Sequence, residues 1–190
     1  MRISAGQLKG RKIELRKPSG RSDMAHLRPT SAKVREALFD ILRNDIRGSS
    51  FLDLYAGTGA VGFEALSRGA ANVCFVEEDR ATSSKIVQYV GKMELDGAAE
   101  VFTETAEHYL KRTQVVEIRF DIIFADPPYA SDEAEKILML IDNGGILRPG
   151  GCLIVEHQSK RKIDVSCRSL KLIKNYKYGD TMLTLYRMEP

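Results

Sequence analysis

Phe51, Leu52, Asp53, Leu54 and Tyr55, followed by Ala56, Gly57, Thr58, Gly59, Ala60, Val61 and Gly62, form the stretch from which the fold is read. The first five residues suit a buried strand, and the glycines after them spell G-x-G-x-x-G where a helix should open. That is the strand, tight turn and helix mouth of a dinucleotide-type fold. Working outward, strand-like runs are expected near 50–55, 72–77, 98–103, 120–125 and 151–156, with helices near 60–68, 79–95, 105–112 and 131–142. Strands that alternate with helices argue for a mostly parallel sheet covered on both faces. Ser169 to Lys177 and Thr181 to Met188 depart from this pattern, because only Tyr178, Gly179 and Asp180 join them. That link is too short for a helical crossover, so the two runs should pair antiparallel. The expected fold is α/β, Rossmann-like, with a seven-stranded mostly parallel sheet ending in an antiparallel hairpin.

Upstream, Val34, Ala37, Leu38, Ile41 and Leu42 follow helical spacing. Thr30 or Ser31 is placed to cap that helix and Gly48 to end it. Ile3 to Leu15 reads as two short strands about a turn near Gly6 and Gly10, and Lys17 to Arg28 as a basic loop. Residues 1–28 are therefore expected to be a basic hairpin-and-loop extension, and 29–190 the main domain.

At 190 residues, 43% hydrophobic and 29% charged, the composition is that of an ordinary globular chain with a sizeable core. No apolar run approaches the ~20 residues of a membrane span. The start lacks the apolar segment of a secretory signal, so a cytoplasmic location is expected. Cys74, Cys152 and Cys167 are odd in number and show no C-x-x-C spacing, which suggests neither a disulfide framework nor a metal site. The net charge of +3 conceals a segregation: residues 1–43 hold 11 Lys/Arg against 4 Asp/Glu, 44–157 hold 10 against 19, and 158–190 hold 8 against 3. An acidic centre between basic ends suits a polyanion gripped at the edges.

Asp53 stands four residues before Gly57, which gives the D-x-x-x-G-x-G form typical of S-adenosylmethionine sites. Tyr55, Ala56, Gly57, Thr58 and Gly59 would form the cofactor loop. Glu77, at the end of the second strand, would accept the ribose hydroxyls. Thr105 and Ala106, after the third strand, would meet the adenine amino group. The doubly wound sheet with a terminal hairpin is the arrangement of class I methyltransferases. Asp126, Pro127, Pro128 and Tyr129 close the fourth strand, at the sheet end where ligands bind in such folds. Two successive prolines remove two donors and are expected to leave both carbonyls aimed outward. A carboxylate, carbonyls and a ring within four residues suit a planar group bearing an NH2. The same four residues would also make a capped Pro-rich turn. Glu156 and His157 read more simply as polarity at a strand end than as supports of the site.

Taken together, Gly6 with Lys9, Gly10 and Arg11, Arg28-Pro29-Thr30 with the helix Val34 to Phe39, Leu52 to Ala70, Val76 with Glu77, and Asp126 to Tyr129 resemble one bacterial family over nearly the whole chain. Its members methylate the exocyclic N2 of a guanine in small-subunit (16S) ribosomal RNA, and many have Phe where this chain has Tyr129. The resemblance implies S-adenosylmethionine as cofactor and an assembled or assembling small subunit as partner. Asp126 and the Pro127 carbonyl would take the amino hydrogens, and Tyr129 would stack on the base. A monomer is the default. Lys9, Arg11, Lys12, Arg28, Thr30 and Arg35 are the candidate RNA contacts, with Arg35 able to pair with Glu36 instead or to orient Asp126. Methylation of adenine N6 or of a glutamine side chain, and a catalytically silent RNA-binding assembly factor, remain open alternatives.

Overall fold

A computed structural model describes residues 2–13, 31–115, 117–129 and 131–190. The elements follow one another as α1 (Ala32–Ile41), β1 (Ser50–Leu54), α2 (Ala60–Ser67), β2 (Asn72–Val76), α3 (Arg80–Lys92), β3 (Ala99–Phe102), α4 (Ala106–Val115), β4 (Phe120–Ala125), α5 (Glu133–Gly144), β5 (Leu147–Gln158), β6 (Leu170–Tyr178) and β7 (Thr181–Met188). They build one seven-stranded sheet in the order β3-β2-β1-β4-β5-β7-β6. The first five strands run parallel, and β7 is antiparallel to both β5 and β6. The strand order reverses between β1 and β4, and a crevice opens at such a switch point.

Alternation along the strands divides the core into two layers. Phe51, Phe75, Ile122, Phe124 and Ile154 pack on one face with Leu38, Phe63 and Ile86 of α1, α2 and α3. Leu52, Leu54, Ile123 and Val155 pack on the other with Leu110, Ile137 and Ile141 of α4 and α5. Among the described residues no helix is long and apolar enough to cross a membrane.

Two expectations are corrected. The first helix ends at Ile41 and not at Gly48, the Leu42 N–H closing onto the Leu38 carbonyl at 3.1 Å. Gly48 instead turns the chain into β1 at φ 76°, with its N–H on the Gly69 carbonyl at 2.7 Å. Second, β5 begins at Leu147, ahead of the expected 151; it carries Pro149, Gly150 and Gly151 through a register shift between the pairs Phe120–Leu147 and Ile122–Cys152. The described N-terminal residues pair antiparallel over a short span: Arg2 bridges Lys12, the Ile3 N–H bonds the Arg11 carbonyl at 3.1 Å, and the Gly10 N–H bonds the Ile3 carbonyl at 2.9 Å. Between the two arms four donors go to α2: the N–H groups of Ser4 and Ala5 bond Glu64 at 2.9 and 3.1 Å, and those of Gln7 and Leu8 bond the Ser67 carbonyl and hydroxyl at 2.8 and 2.9 Å. The expected strand end at Leu15, the loop to Arg28, and Arg28 and Thr30 lie outside the described residues. Of the two candidate caps, Ser31 accepts the Val34 N–H at 3.2 Å.

Candidate active site

Strand register assembles the site. Val76, Leu54, Ala125 and Val155 are direct neighbours across β2, β1, β4 and β5. Each is followed by a residue with chemistry: Glu77, Tyr55, Asp126 and Glu156. Adjacent strands are about 4.8 Å apart. The backbone at Glu77 and at Asp126 is therefore separated by about 10 Å, with Tyr55 between.

The glycine loop forms the floor. Gly62 lies against Phe75, and a Cβ there would come within 2.2 Å of the ring, so its role is packing between α2 and β2. Gly57 differs: at φ 53° a Cβ would meet only the Tyr55 carbonyl, at 3.9 Å, so its surface is open to a ligand's close approach. One oxygen of Glu77 accepts the Gly57 N–H at 2.7 Å and the other the Asp79 N–H at 2.9 Å. A carboxylate oxygen has a second lone pair, so Glu77 is fixed in orientation and still able to accept hydroxyls. Burial raises its pKa, the two N–H groups working against the rise.

Asp53 sits beneath this loop, 1% exposed, and accepts the Gly62 N–H at 2.9 Å. Its reach is therefore through its field and through the helix start it holds. Burial pushes its pKa up to about 7, the Gly62 N–H opposing and the Glu77 charge adding to the rise. Tyr55 has φ 62°, rare for an L-residue, and its ring packs with the α4/α5 layer instead of following the strand alternation. Its phenol pKa is raised, first by burial and then by Glu133 of α5. Ala56 is buried and its N–H bonds the Val76 carbonyl at 2.8 Å; Thr58 and Gly59 complete the turn, and Gly59 is the N-cap of α2 at φ 73°. Thr105 starts α4 by accepting the His108 N–H at 3.2 Å, and Ala106 is buried behind it. Glu104 is committed to Arg112 at 2.7 Å and to the exposed His108.

On the other side of Tyr55, Asp126 is partly exposed, Pro127 buried and Pro128 exposed. One of the two proline carbonyls expected to be open is taken: Pro128 receives the Ser131 N–H at 3.3 Å and its hydroxyl at 2.9 Å. Among the described residues none donates to the Pro127 carbonyl. The Tyr129 hydroxyl donates to Glu156 at 3.3 Å. Burial, with the negative charges of Glu156 and Asp126, pushes that phenol up to about 12. Glu156 and His157, at the carboxyl end of β5, are thus more than edge polarity. Both are buried inside β5, where His157 Nε2 lies 2.7 Å from the Thr184 hydroxyl and burial lowers the imidazole pKa.

Two supports carried no role in the sequence reading. Arg161 donates to the Tyr129 carbonyl at 3.1 Å, to the Ser131 carbonyl, and to Glu135 at 2.6 Å. One cation among many in a basic tail gives no signal for that. Glu64 was visible in principle, as a lone carboxylate in the apolar helix Ala60–Ser67. It is fully buried and gathers Ser4, Ala5, Arg68 at 2.9 Å and Arg35 at 3.7 Å. Arg35 is accordingly turned toward Glu64 and the Arg2 carbonyl, and pairs with neither Glu36 nor Asp126. Lys9, Arg11 and Lys12 are exposed. Cys74 and Cys152 are buried thiols pushed up to about 12, which removes thiolate chemistry at neutral pH.

Comparison with known proteins adds three findings. The family profile described as conserved hypothetical protein 95 matches residues 1–187. Ribosomal RNA small subunit methyltransferase D of Haemophilus influenzae is 32% identical over 188 residues, covering 98% of this chain and 93% of the relative. The namesake in Escherichia coli is 31% identical, covering 100% and 90%. Among solved structures, yhhF from Escherichia coli superposes with a TM-score of 0.87 at 28% identity, covering 100% of this chain and 98% of that one. TrmN from Thermus thermophilus, at 17% identity and a TM-score of 0.65 over 82% of this chain and 48% of that one, shares the fold.

Proposed function

The chain belongs to the conserved hypothetical protein 95 family, and from its site we propose that it transfers a methyl group from S-adenosylmethionine to the exocyclic N2 of a guanine in small-subunit ribosomal RNA. The observation that carries this is the row Glu77, Tyr55, Asp126 and Glu156 along one crevice, with an open glycine turn at one end and a braced D-P-P-Y turn at the other. The relatives' names support the RNA, the turn fits a planar amino group, and the resemblance carried by Arg28-Pro29-Thr30 and the helix Val34 to Phe39 narrows that group to guanine N2.

The residues fit the cofactor. Glu77 would hold the ribose hydroxyls, Gly57 would let the backbone approach, Thr105 and Ala106 would border the adenine, and the Asp53 and Glu77 carboxylates would favour cationic groups. When bound, S-adenosylmethionine supplies a methyl on a sulfonium, an electrophile that needs orientation more than activation. The obstacle is the nucleophile, since the guanine N2 lone pair is delocalised into the ring. Asp126 and the Pro127 carbonyl would each accept one N2 hydrogen, which draws the nitrogen toward a tetrahedral form and frees the lone pair. As the bond from sulfur to the methyl breaks and N2 gains the carbon, N2 loses one proton, which Asp126 or water would take. Tyr129 would stack on the extruded base, worth ~1–3 kcal/mol.

The test is methylation of small ribosomal subunits from cells lacking this protein, followed by nucleoside analysis. N2-methylguanosine is expected; N6-methyladenosine, or methyl label in protein only, overturns the assignment.

A further inference from the structure

We propose that the connection between β5 and β6 grips the RNA phosphate backbone beside the catalytic turn through Lys160 and Lys162, an inference that rests on the RNA reading above. The segment is fixed where it passes the site. The Ser159 N–H bonds the Asp180 carbonyl at 2.7 Å, tying it to the β6–β7 turn. Two residues on, Arg161 turns inward onto the Tyr129 and Ser131 carbonyls and Glu135. Exposure alternates along this stretch: Arg161, Ile163 and Cys167 are partly buried, the latter two against the α4/α5 layer, while Lys160 and Lys162 on either side of Arg161 are exposed.

Charge around the turn selects what the lysines meet. The acidic start of α5 is already committed: Asp132 to Lys136 at 2.9 Å, Glu135 to Arg161 at 2.6 Å, and Glu133 toward Tyr55. Among the described residues neither Lys160 nor Lys162 enters an ion pair. Asp164 and Asp180 are the exposed carboxylates of the same stretch. The segment 158–190 nonetheless holds 8 Lys/Arg against 3 Asp/Glu. Two outward cations on a braced segment at the rim of an acidic crevice present a fixed positive potential, which attracts a polyanion and orients it across the site. Because Arg161 joins the lysines to the carbonyls of the D-P-P-Y turn, the backbone grip and the base-holding residues share one rigid unit.

The experiment compares wild type, Lys160→Ala/Lys162→Ala and Lys160→Arg/Lys162→Arg in binding to unmethylated small ribosomal subunits across a salt series, with steady-state methylation alongside. The alanine pair should reduce the slope of log affinity against log salt by roughly 1.5, because two phosphates keep the counterions that the lysines would otherwise displace. It should raise KM for subunits about tenfold, while cofactor affinity and Tm hold and the arginine pair behaves as wild type. An alanine pair with unchanged slope and KM overturns the grip alone, as does one whose cofactor affinity or Tm falls in step. Wild type that neither binds nor methylates the subunits overturns the RNA reading and the grip together.

Discussion

In the proposed mechanism, removing the Asp126 carboxylate takes away an acceptor and a base but leaves the turn standing, because Arg161 holds the Tyr129 carbonyl and Glu156 the Tyr129 hydroxyl. Asp126→Ala is therefore expected to lower kcat by about 10²–10⁴-fold, the usual reach of a positioned acid or base. Calorimetry should find cofactor affinity within about threefold of wild type; turnover near wild type would remove Asp126 from the chemistry. Arg161 acts at one remove. Arg161→Ala should lower kcat roughly tenfold through a loosened turn, with KM for cofactor unmoved and activity partly restored by added guanidinium, a rescue that general unfolding would not permit. Asp53 adds a pH dependence. Its folded pKa of about 7 lies above the ordinary 3.8, so the folded state binds the extra proton and loses stability as pH rises from about 4 to 7, the cost being fully present above 7. Asp53→Asn should therefore melt higher relative to wild type at pH 8 than at pH 5. A cationic cofactor favours the ionised carboxylate, so wild-type cofactor affinity should increase from pH 6 to pH 8 and flatten in the variant. Parallel melting curves across that range would show that Asp53 is not burial-shifted.

At the scale of elements, α2 connects the glycine loop to the N-terminal segment. Burial alone would raise the Glu64 pKa, but the Ser4 donors and Arg68 more than offset it and lower it instead. Glu64→Gln leaves Arg35, 5% exposed, without its counter-ion. Breaking a buried pair in this way costs ~3–5 kcal/mol. A chain of this size shifts about 2–4 °C per kcal/mol, so Tm should fall by roughly 10 °C. Lys111→Ala, which removes an exposed i,i+4 pair with Glu107, should leave Tm almost unchanged. Equal effects from the two would mean that the Glu64 cluster carries no special weight. The same contrast explains what sequence could reveal. β1, β2, β4 and β7 are apolar runs bounded by polar or Gly-rich turns and were readable to within a residue. The start of β5 was hidden, because Pro149-Gly150-Gly151 looks like a break and only pairing with β4 makes it strand. The N-terminal pairing is short for a tertiary reason: between its arms, Ser4, Ala5, Gln7 and Leu8 donate to Glu64 and Ser67, some sixty residues away. In the candidate site, Gly57, Glu77 and Asp126 could be named from local spacing, and strand register brings the ends of β1, β2 and β4 that carry them side by side. Arg161 and Glu156 could not, since they act through contacts 27–32 residues away in sequence.

For the whole molecule, the question is whether the basic N-terminal residues are an arm attached to a finished domain or part of its core. Composition favours an arm, since 11 of the first 43 residues are Lys or Arg. Burial favours the core: Ile3 and Ile13 are 1% and 0% exposed and pack with Val34, Leu38 and Leu183. Two fully buried isoleucines contribute about 1.5–3 kcal/mol each, comparable to a sizeable part of a domain's net stability. The cations Lys9, Arg11 and Lys12 are then presented outward from a segment held inward by these two side chains and by Glu64. A separable arm and an integral one respond differently to the same change. Ile13→Ala should cost ~2–5 kcal/mol. If the segment is integral, scanning calorimetry will show a single cooperative transition displaced downward as a whole, with loss of the α1 and α2 amide protection in step. If the main transition stays in place and only a small low-temperature step appears, the segment is an appendage, and the exposed lysine and arginine it carries would grip RNA as a tether instead of as a fixed surface.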